Sequence, residues 1–297
     1  MLRVTCFVLH NHMPNYIHDI TGSRWMVSNP ARNTRTGMDG KVFRCPFCAG
    51  SEGDTPPEVY RVGEGEKDKT GWSIRVFANL FPITEPHEVI VHSPDHSKNI
   101  EDFPIEQVED LIKTYINRYN ALKEKGKVFI FHNYGLISGA SLPHPHSQIS
   151  VVPEEIPTNT LPIQPVVNIV EQVGEFVSYC PEYSEWSYET WITPIKNEEL
   201  RIKNFKNLNE NQVKNLARIL QSSIRKLKKI YAGNSHYPKK PFGYNYYISE
   251  KFASTSSVHW YLRIIPRFME RAGFELSTGI MVNSVEAKRA SEELRNM

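Results

Sequence analysis

The chain has 297 residues, and 35 Lys and Arg against 33 Asp and Glu leave a formal net charge of +2, which excludes the wholesale basic character of a nucleic-acid binder. A hydrophobic share of 40% with 11% aromatics is that of an ordinary globular protein, with ample chain for a core in one or two domains. No apolar run reaches the roughly 18 residues of a membrane span, and four cysteines make no disulfide framework. Residues 1–8 are followed at once by His10 and His12, which argues against a signal peptide. A cytoplasmic protein with Cys6 and Cys180 as free thiols is expected.

Along the chain, Cys45-Pro46-Phe47-Cys48 is a Cys-x-x-Cys knuckle. Two strands follow at residues 77–81 and 88–92, joined by a Pro-containing turn. Val108, Leu111, Ile112, Tyr115, Ile116, Tyr119 and Leu122 recur at helical spacing. Residues 127–132 and 146–152 read as strands, the second stopped by Pro153. Pro153, Pro157, Pro162 and Pro165 then mark a joint that packs across the sheets of the two halves. Beyond it come a strand at 188–193 and a helix capped by Asn209 with Gln212 three residues on. That helix has a buried stripe of Val213, Leu216, Leu220, Ile224, Leu227 and Tyr231. Strands at 244–248 and 260–265 close the chain. His146 to Pro153 and His259 to Pro266 share one spacing, so the chain reads as a duplicated unit. The fold class is α+β: two similar units, with mostly antiparallel sheet and helices packed on it.

The most informative run is Gly139-Ala140-Ser141-Leu142-Pro143-His144-Pro145-His146-Ser147-Gln148. Alternate residues of a strand share a face, so two imidazoles and an amide converge there. A neutral imidazole is a good nucleophile toward phosphorus, and a carboxamide can donate to phosphoryl oxygens without surrendering a proton. This set suits a covalent phosphohistidine better than plain hydrolysis. Cys45, Cys48, His96 and His144 are the ligand types of a closed tetrahedral zinc site that would tie distant parts of one domain together. The knuckle alone could also be a redox pair or two unrelated thiols. With His144 a ligand, His146 becomes the nucleophile.

The residues around these motifs resemble the galactose-1-phosphate uridylyltransferase family, the nucleotide-transferring branch of the histidine-triad superfamily. The resemblance rests on Arg24-Trp25-Met26-Val27 with Arg32 and Arg35, on Arg75 through Pro82, and on Glu88 through His96. It continues through Phe131-His132-Asn133-Tyr134-Gly135, the His-Pro-His run, and His259 onward to Leu276. It begins near residue 14, which leaves residues 1–12 as an extension or a misplaced start. It implies ping-pong transfer from UDP-glucose to a hexose 1-phosphate through a uridylyl-His146, with Gln148 and then Ser141 as donors to the phosphoryl oxygens.

The resemblance further implies that Asn79 and Asn133 contact the nucleotide, that Phe77 flanks the base together with Phe81, and that Arg32 and Arg35 bind phosphate. Phe274 and Glu275 would meet the hexose. One structural Zn2+, nucleotide-sugar and sugar 1-phosphate substrates, and a homodimer sharing sugar contacts across its interface complete the expectation. Residues 14–157 would form the catalytic, zinc-binding half, and residues 158–297 the half with sugar-phosphate contacts. Tyr261 stands where relatives often carry a metal-binding histidine, so no second metal site is expected. The same core would also serve an ADP-glucose or dinucleoside polyphosphate phosphorylase with phosphate as acceptor, or a zinc-stabilised nucleotide-binding module without turnover.

Overall fold

The computed structural model describes residues 14–19, 22, 24–30, 32, 44–158, 160–195, 202, 204–233, 237, 241–250 and 260–297. A small hairpin, β1 (Asn15–His18) and β2 (Trp25–Ser28), stands apart from the main sheet. The first half of that sheet comprises β3 (Glu58–Gly63), β4 (Trp72–Ala78), β5 (His87–Val91), helix α1 (Ile105–Leu122), β6 (Lys127–Tyr134) and β7 (His146–Val152). The second half comprises β8 (Ile169–Val173), β9 (Phe176–Tyr179), β10 (Thr190–Pro194), α2 (Glu210–Gly233), β11 (Tyr244–Glu250) and β12 (Trp260–Pro266). Two short helices, α3 (Gly273–Thr278) and α4 (Ala287–Arg295), end the chain.

Ten strands form one antiparallel sheet in the order β3-β4-β5-β7-β6-β11-β12-β10-β9-β8. Counted inward from either edge, each half repeats one order, with its fourth and fifth strands exchanged. The two halves are therefore joined by direct pairing of β6 with β11, Tyr134 opposite Tyr244 and Ile130 opposite Ile248. The sequence reading placed the Pro-rich joint across separate sheets. Here it crosses one continuous sheet, and Leu161 and Ile163 seat on Tyr179, Trp191 and Tyr261.

Both long helices cover the same face. Val108, Leu111, Ile112 and Tyr115 of α1 and Val213, Leu216, Leu220 and Ile224 of α2 pack with Ile74, Val76, Ile90, Ile149 and Leu262 of the sheet. Burying each such side chain stabilises the fold by about 1.5–3 kcal/mol, and truncating Leu111 or Leu216 to Ala would cost about 2–5 kcal/mol. The cap of α2 is reciprocal: Gln212 N–H donates to Asn209 Oδ1 and Asn209 N–H to Gln212 Oε1, both at 2.9 Å, as the sequence motif requires.

Two strand boundaries shift for local reasons. Residues 77–81 were read as a strand, but β4 ends at Ala78 because Asn79 Oδ1 accepts the Phe81 N–H at 2.8 Å and turns the chain. Tyr188 adopts φ +60°, a left-handed conformation that a strand residue cannot hold, so β10 starts at Thr190. Alternation along β7 sends Ser147, Ile149 and Val151 toward the helices, and His146 and Gln148 to the opposite face.

Candidate active site and metal centre

The uncovered face of β4, β5 and β7 floors a cleft. It is lined by Phe77, Val89, His146 and Gln148 from the strands, by Asn79 to Phe81 from the turn after β4, and by Ser141 and Leu142 from the loop before β7. Pro46 and Phe47 of the knuckle, with Asp54, Thr55 and Pro56 behind it, form the remaining wall. Of the sequence-based candidates, His146, Gln148, Phe77, Asn79 and Ser141 thus share one cleft.

His146 is nearly buried. Its Nδ1 lies 2.8 Å from the His144 carbonyl oxygen. A carbonyl only accepts, so Nδ1 carries the proton and Nε2 the lone pair. Gln148 lies two residues on along the same strand face. Its Oε1 accepts from Asn79 Nδ2 at 3.4 Å, an orientation that leaves the amide N–H groups as its donors. Asn79 therefore acts on Gln148 and on the Phe81 turn as well as lining the cleft. The sequence reading also overlooked His87, buried beneath this pair. Its Nδ1 accepts the Ile83 N–H at 2.9 Å and so fixes the far end of the turn.

Beside the cleft, the ligand atoms of Cys45, Cys48, His96 and His144 all lie within 4.8 Å of one another. Cys48 Sγ is 3.3 Å from His96 Nδ1 and 3.6 Å from His144 Nδ1, and Cys45 Sγ is 3.8 Å from His144 Nδ1. Tetrahedral zinc with Zn–S of about 2.3 Å and Zn–N of about 2.05 Å sets sulfur and nitrogen about 3.6 Å apart. These residues fit a metal ion. The other ring nitrogen of His144, Nε2, donates to the Ser93 carbonyl at 2.8 Å, which turns the Nδ1 lone pair toward the thiols. Burial lowers the His144 imidazole to about 4, keeping it neutral. Burial likewise raises the Cys45 thiol to about 11, so a cation is needed to hold its thiolate. Asp95 accepts from the Ser97 N–H and hydroxyl, at 2.9 and 2.8 Å, and shapes the turn that presents His96.

Phe47, between the two cysteines, joins the centres. Its ring packs edge-on against His146 at 5.1 Å and tilted against Phe77 at 5.5 Å. The signal was in the knuckle sequence, where a large apolar residue beside two ligands must pack on whatever the metal site adjoins. Beneath it, the fully buried Arg75 joins Glu58 at 2.6 Å and Thr55 at 3.2 Å, while Trp72 donates to Glu52 at 2.8 Å. These bonds fasten the wall behind the knuckle to β3 and β4.

Other candidates fall elsewhere. Arg32 is hydrogen-bonded to the Phe81 carbonyl at the cleft rim, and Arg35 and His259 lie outside the described residues. Asn133 does not line the cleft, and its Oδ1 accepts from Asn245 Nδ2 at 2.7 Å. Phe274 is exposed on α3, and the Glu275 carboxylate accepts the Ala272 N–H at 3.0 Å, so neither faces the cleft of its own chain. In the second half the Tyr261 hydroxyl donates to the Leu161 carbonyl at 2.8 Å and its ring stacks on Trp191 at 4.1 Å. That aromatic packing occupies part of the corresponding face of the second half.

Known proteins resemble this chain in sequence and in fold. Residues 78–152 match the family profile described as galactose-1-phosphate uridyl transferase, N-terminal domain. The chain is 25% identical to an ADP-glucose phosphorylase of Arabidopsis thaliana, over 97% of this chain and 94% of that one. It is 28% identical to a galactose-1-phosphate uridylyltransferase of Thermotoga maritima, over 57% of this chain and 63% of that one. In fold it is similar to the crystal structure of an Arabidopsis thaliana ADP-glucose phosphorylase with bound ADP-glucose. The TM-score is 0.72 at 24% identity, with 96% of this chain and 99% of that chain covered.

Proposed function

Because the chain belongs to the galactose-1-phosphate uridylyltransferase-like family of the histidine-triad superfamily, we propose that it transfers a nucleotidyl group from a nucleotide sugar through a covalent bond to His146. The observation that carries this is the 2.8 Å bond from His146 Nδ1–H to the His144 carbonyl, which gives Nε2 the lone pair in a cleft shared with Gln148. Nε2 attacks the α-phosphorus, the P–N bond forms, and the P–O bond to the leaving sugar 1-phosphate breaks. No general acid is needed for so good a leaving group. The ring becomes cationic, and the His144 carbonyl shares that charge. The Gln148 amide donates to the nonbridging oxygens, with Ser141 a second donor. An acceptor phosphate oxygen then attacks the same phosphorus and releases His146.

Phe77 and Phe47 wall the base, and Arg32 supplies positive charge at the rim. Cys45, Cys48, His96 and His144 would hold zinc, which would supply a rigid cross-link beside the cleft. Phe274 and Glu275 serve the cleft of a second copy. The exposure of Phe274, Leu276, Ile280 and Val282 along one segment supports a homodimer that covers them. Residues 14–157 form the catalytic half and residues 158–297 the half that donates sugar contacts. No helix among the described residues is long and apolar enough to cross a membrane.

Two acceptors suit this chemistry. The likeness to the Arabidopsis phosphorylase along nearly the whole chain favours ADP-glucose as donor and inorganic phosphate as acceptor. The family profile and the Thermotoga enzyme favour UDP-glucose as donor and galactose 1-phosphate as acceptor. Pairing of His146 with Gln148 in one cleft weighs against a module without turnover. Intact mass after mixing the protein separately with each nucleotide sugar decides. A uridylyl adduct discharged by galactose 1-phosphate, or an adenylyl adduct discharged by phosphate, selects the reading, and no adduct with either overturns nucleotidyl transfer.

A further inference from the structure

On the helix side of β7, directly behind His146, the core is polar. The ladder between β6 and β7 ends at the pair His132 and Ser147. The carbonyl one residue further out, that of His146, accepts the Nδ1–H of His132 at 2.9 Å. The His132 ring is stacked between His92 at 5.0 Å and Tyr246 at 4.9 Å. The next residue, Ser147, is held by its own set. Its hydroxyl meets His92 Nε2 at 2.6 Å and the Tyr115 hydroxyl, which in turn meets the Tyr246 hydroxyl at 2.6 Å. All five side chains are almost fully buried.

Such a cluster is an odd choice for a helix–sheet core. His132 Nε2 and His92 Nδ1 meet no hydrogen-bond partner among the described residues, and a buried polar atom left so is destabilising. A phenyl ring at position 132 would stack equally well and carry no unsatisfied nitrogen, at the cost of the bond to the His146 carbonyl. What histidine adds there is the single N–H that reaches the His146 carbonyl. Departures from apolar packing concentrate where a site must be held in place.

We propose that His132 is a positioning residue: its bond to the His146 carbonyl fixes β7 at the point from which His146 and Gln148 project, while the Ser147, His92, Tyr115 and Tyr246 cluster anchors the residue between them. The role rests on nucleotidyl transfer through His146. The line of attack on phosphorus is sensitive to shifts of about 1 Å, and His132 acts on it through the backbone without touching the substrate.

His132→Phe tests this, because it keeps the ring and removes both the donor and the unsatisfied nitrogen. If His132 were only a core residue, stability would hold or rise and the adduct would form at the wild-type rate. We expect the thermal midpoint and zinc content to hold while formation of the nucleotidyl adduct slows roughly 30- to 100-fold. Donor affinity should stay within threefold, and His132→Gln, which restores an N–H, should recover much of the rate. A His132→Phe rate within threefold of wild type overturns the proposal. If that variant does not fold, Tyr246→Phe, which loses only a hydroxyl of the cluster, is judged by the same rate and midpoint. The nitrogen-15 spectrum of the His146 ring, identified by its loss in His146→Asn, gives a readout free of turnover. One Nδ1–H tautomer in wild type that becomes a mixture in His132→Phe supports positioning, and unchanged signals overturn it. A wild type that forms no adduct sinks nucleotidyl transfer, and the spectrum still decides whether His132 holds the ring.

Discussion

His144 holds His146 through its main chain and meets the knuckle cysteines through its ring: its carbonyl accepts His146 Nδ1–H at 2.8 Å, and its own Nδ1 lies 3.6 Å from Cys48 Sγ. Pro145 between them has a fixed φ and no N–H to donate, so the carbonyl and the neighbouring ring stay in one relative orientation. His146 Nε2, the proposed nucleophile, is therefore referenced to the cluster of Cys45, Cys48, His96 and His144 across two residues.

His146→Asn should abolish the nucleotidyl adduct while leaving metal content and thermal midpoint close to wild type. Gln148→Ala should still form the adduct, about 10²- to 10³-fold more slowly, as removal of a phosphoryl-facing donor predicts. Single-turnover intact mass measures both. Full transfer by His146→Asn would remove the nucleophile from the scheme.

Cys48→Ser should lose stoichiometric zinc, read by elemental analysis, and lower the thermal midpoint. Binding free energy that exists only in the folded state is folding free energy. Because Phe47 lies between the two thiols and against His146, nucleotide affinity should fall with the metal. Undiminished affinity in the zinc-free variant would show that the knuckle wall stands without it.

Phe47→Leu keeps an apolar side chain and loses the aromatic contacts with His146 and Phe77. A stability loss of about 1 kcal/mol is expected, with KM for the nucleotide sugar raised several-fold and kcat changed less. Denaturant titration and steady-state kinetics separate the two effects.

Burial lowers the His132 imidazole to about 3 and, with His132 and His146 adjacent, drives that of His92 well down too. In the unfolded chain both titrate near 6.5. Below that pH the unfolded state takes up protons that the folded state does not. Stability should be full above about pH 6.5 and decline toward pH 3, by up to about 1.4 kcal/mol per pH unit for each histidine. Thermal midpoints from pH 7.5 to 5 read this, and His132→Phe should flatten the slope.

The features legible in the sequence are those with local causes. The Asn209 and Gln212 cap, the helical stripes of α1 and α2, and strand β7 all follow from spacing, as did the four-residue metal set from ligand chemistry. What escaped detection depends on neighbours. The edge strand β8 buries only Val170, so it shows no apolar alternation, and β3 is interrupted by irregular register at Glu58 and at Gly63. Phe47 and His87 became site residues only because the fold brings the knuckle and the β5 entry against β7. Asn79 looked like a ligand contact, whereas its side chain is also the brace of a turn.

The seam between β6 and β11 gives the molecule a history. Cut there, the first half would end in an open edge, a row of unpaired N–H and C=O groups that invites another strand. Its natural complement would be the same edge of an identical copy, since β11 holds in its own half the place that β6 holds in the first. The chain has the form of an ancestral dimer fused end to end. Fusion permits asymmetry: with Tyr179, Trp191 and Tyr261 packed together on one face, the second half serves as the buttress that keeps the β6 edge paired.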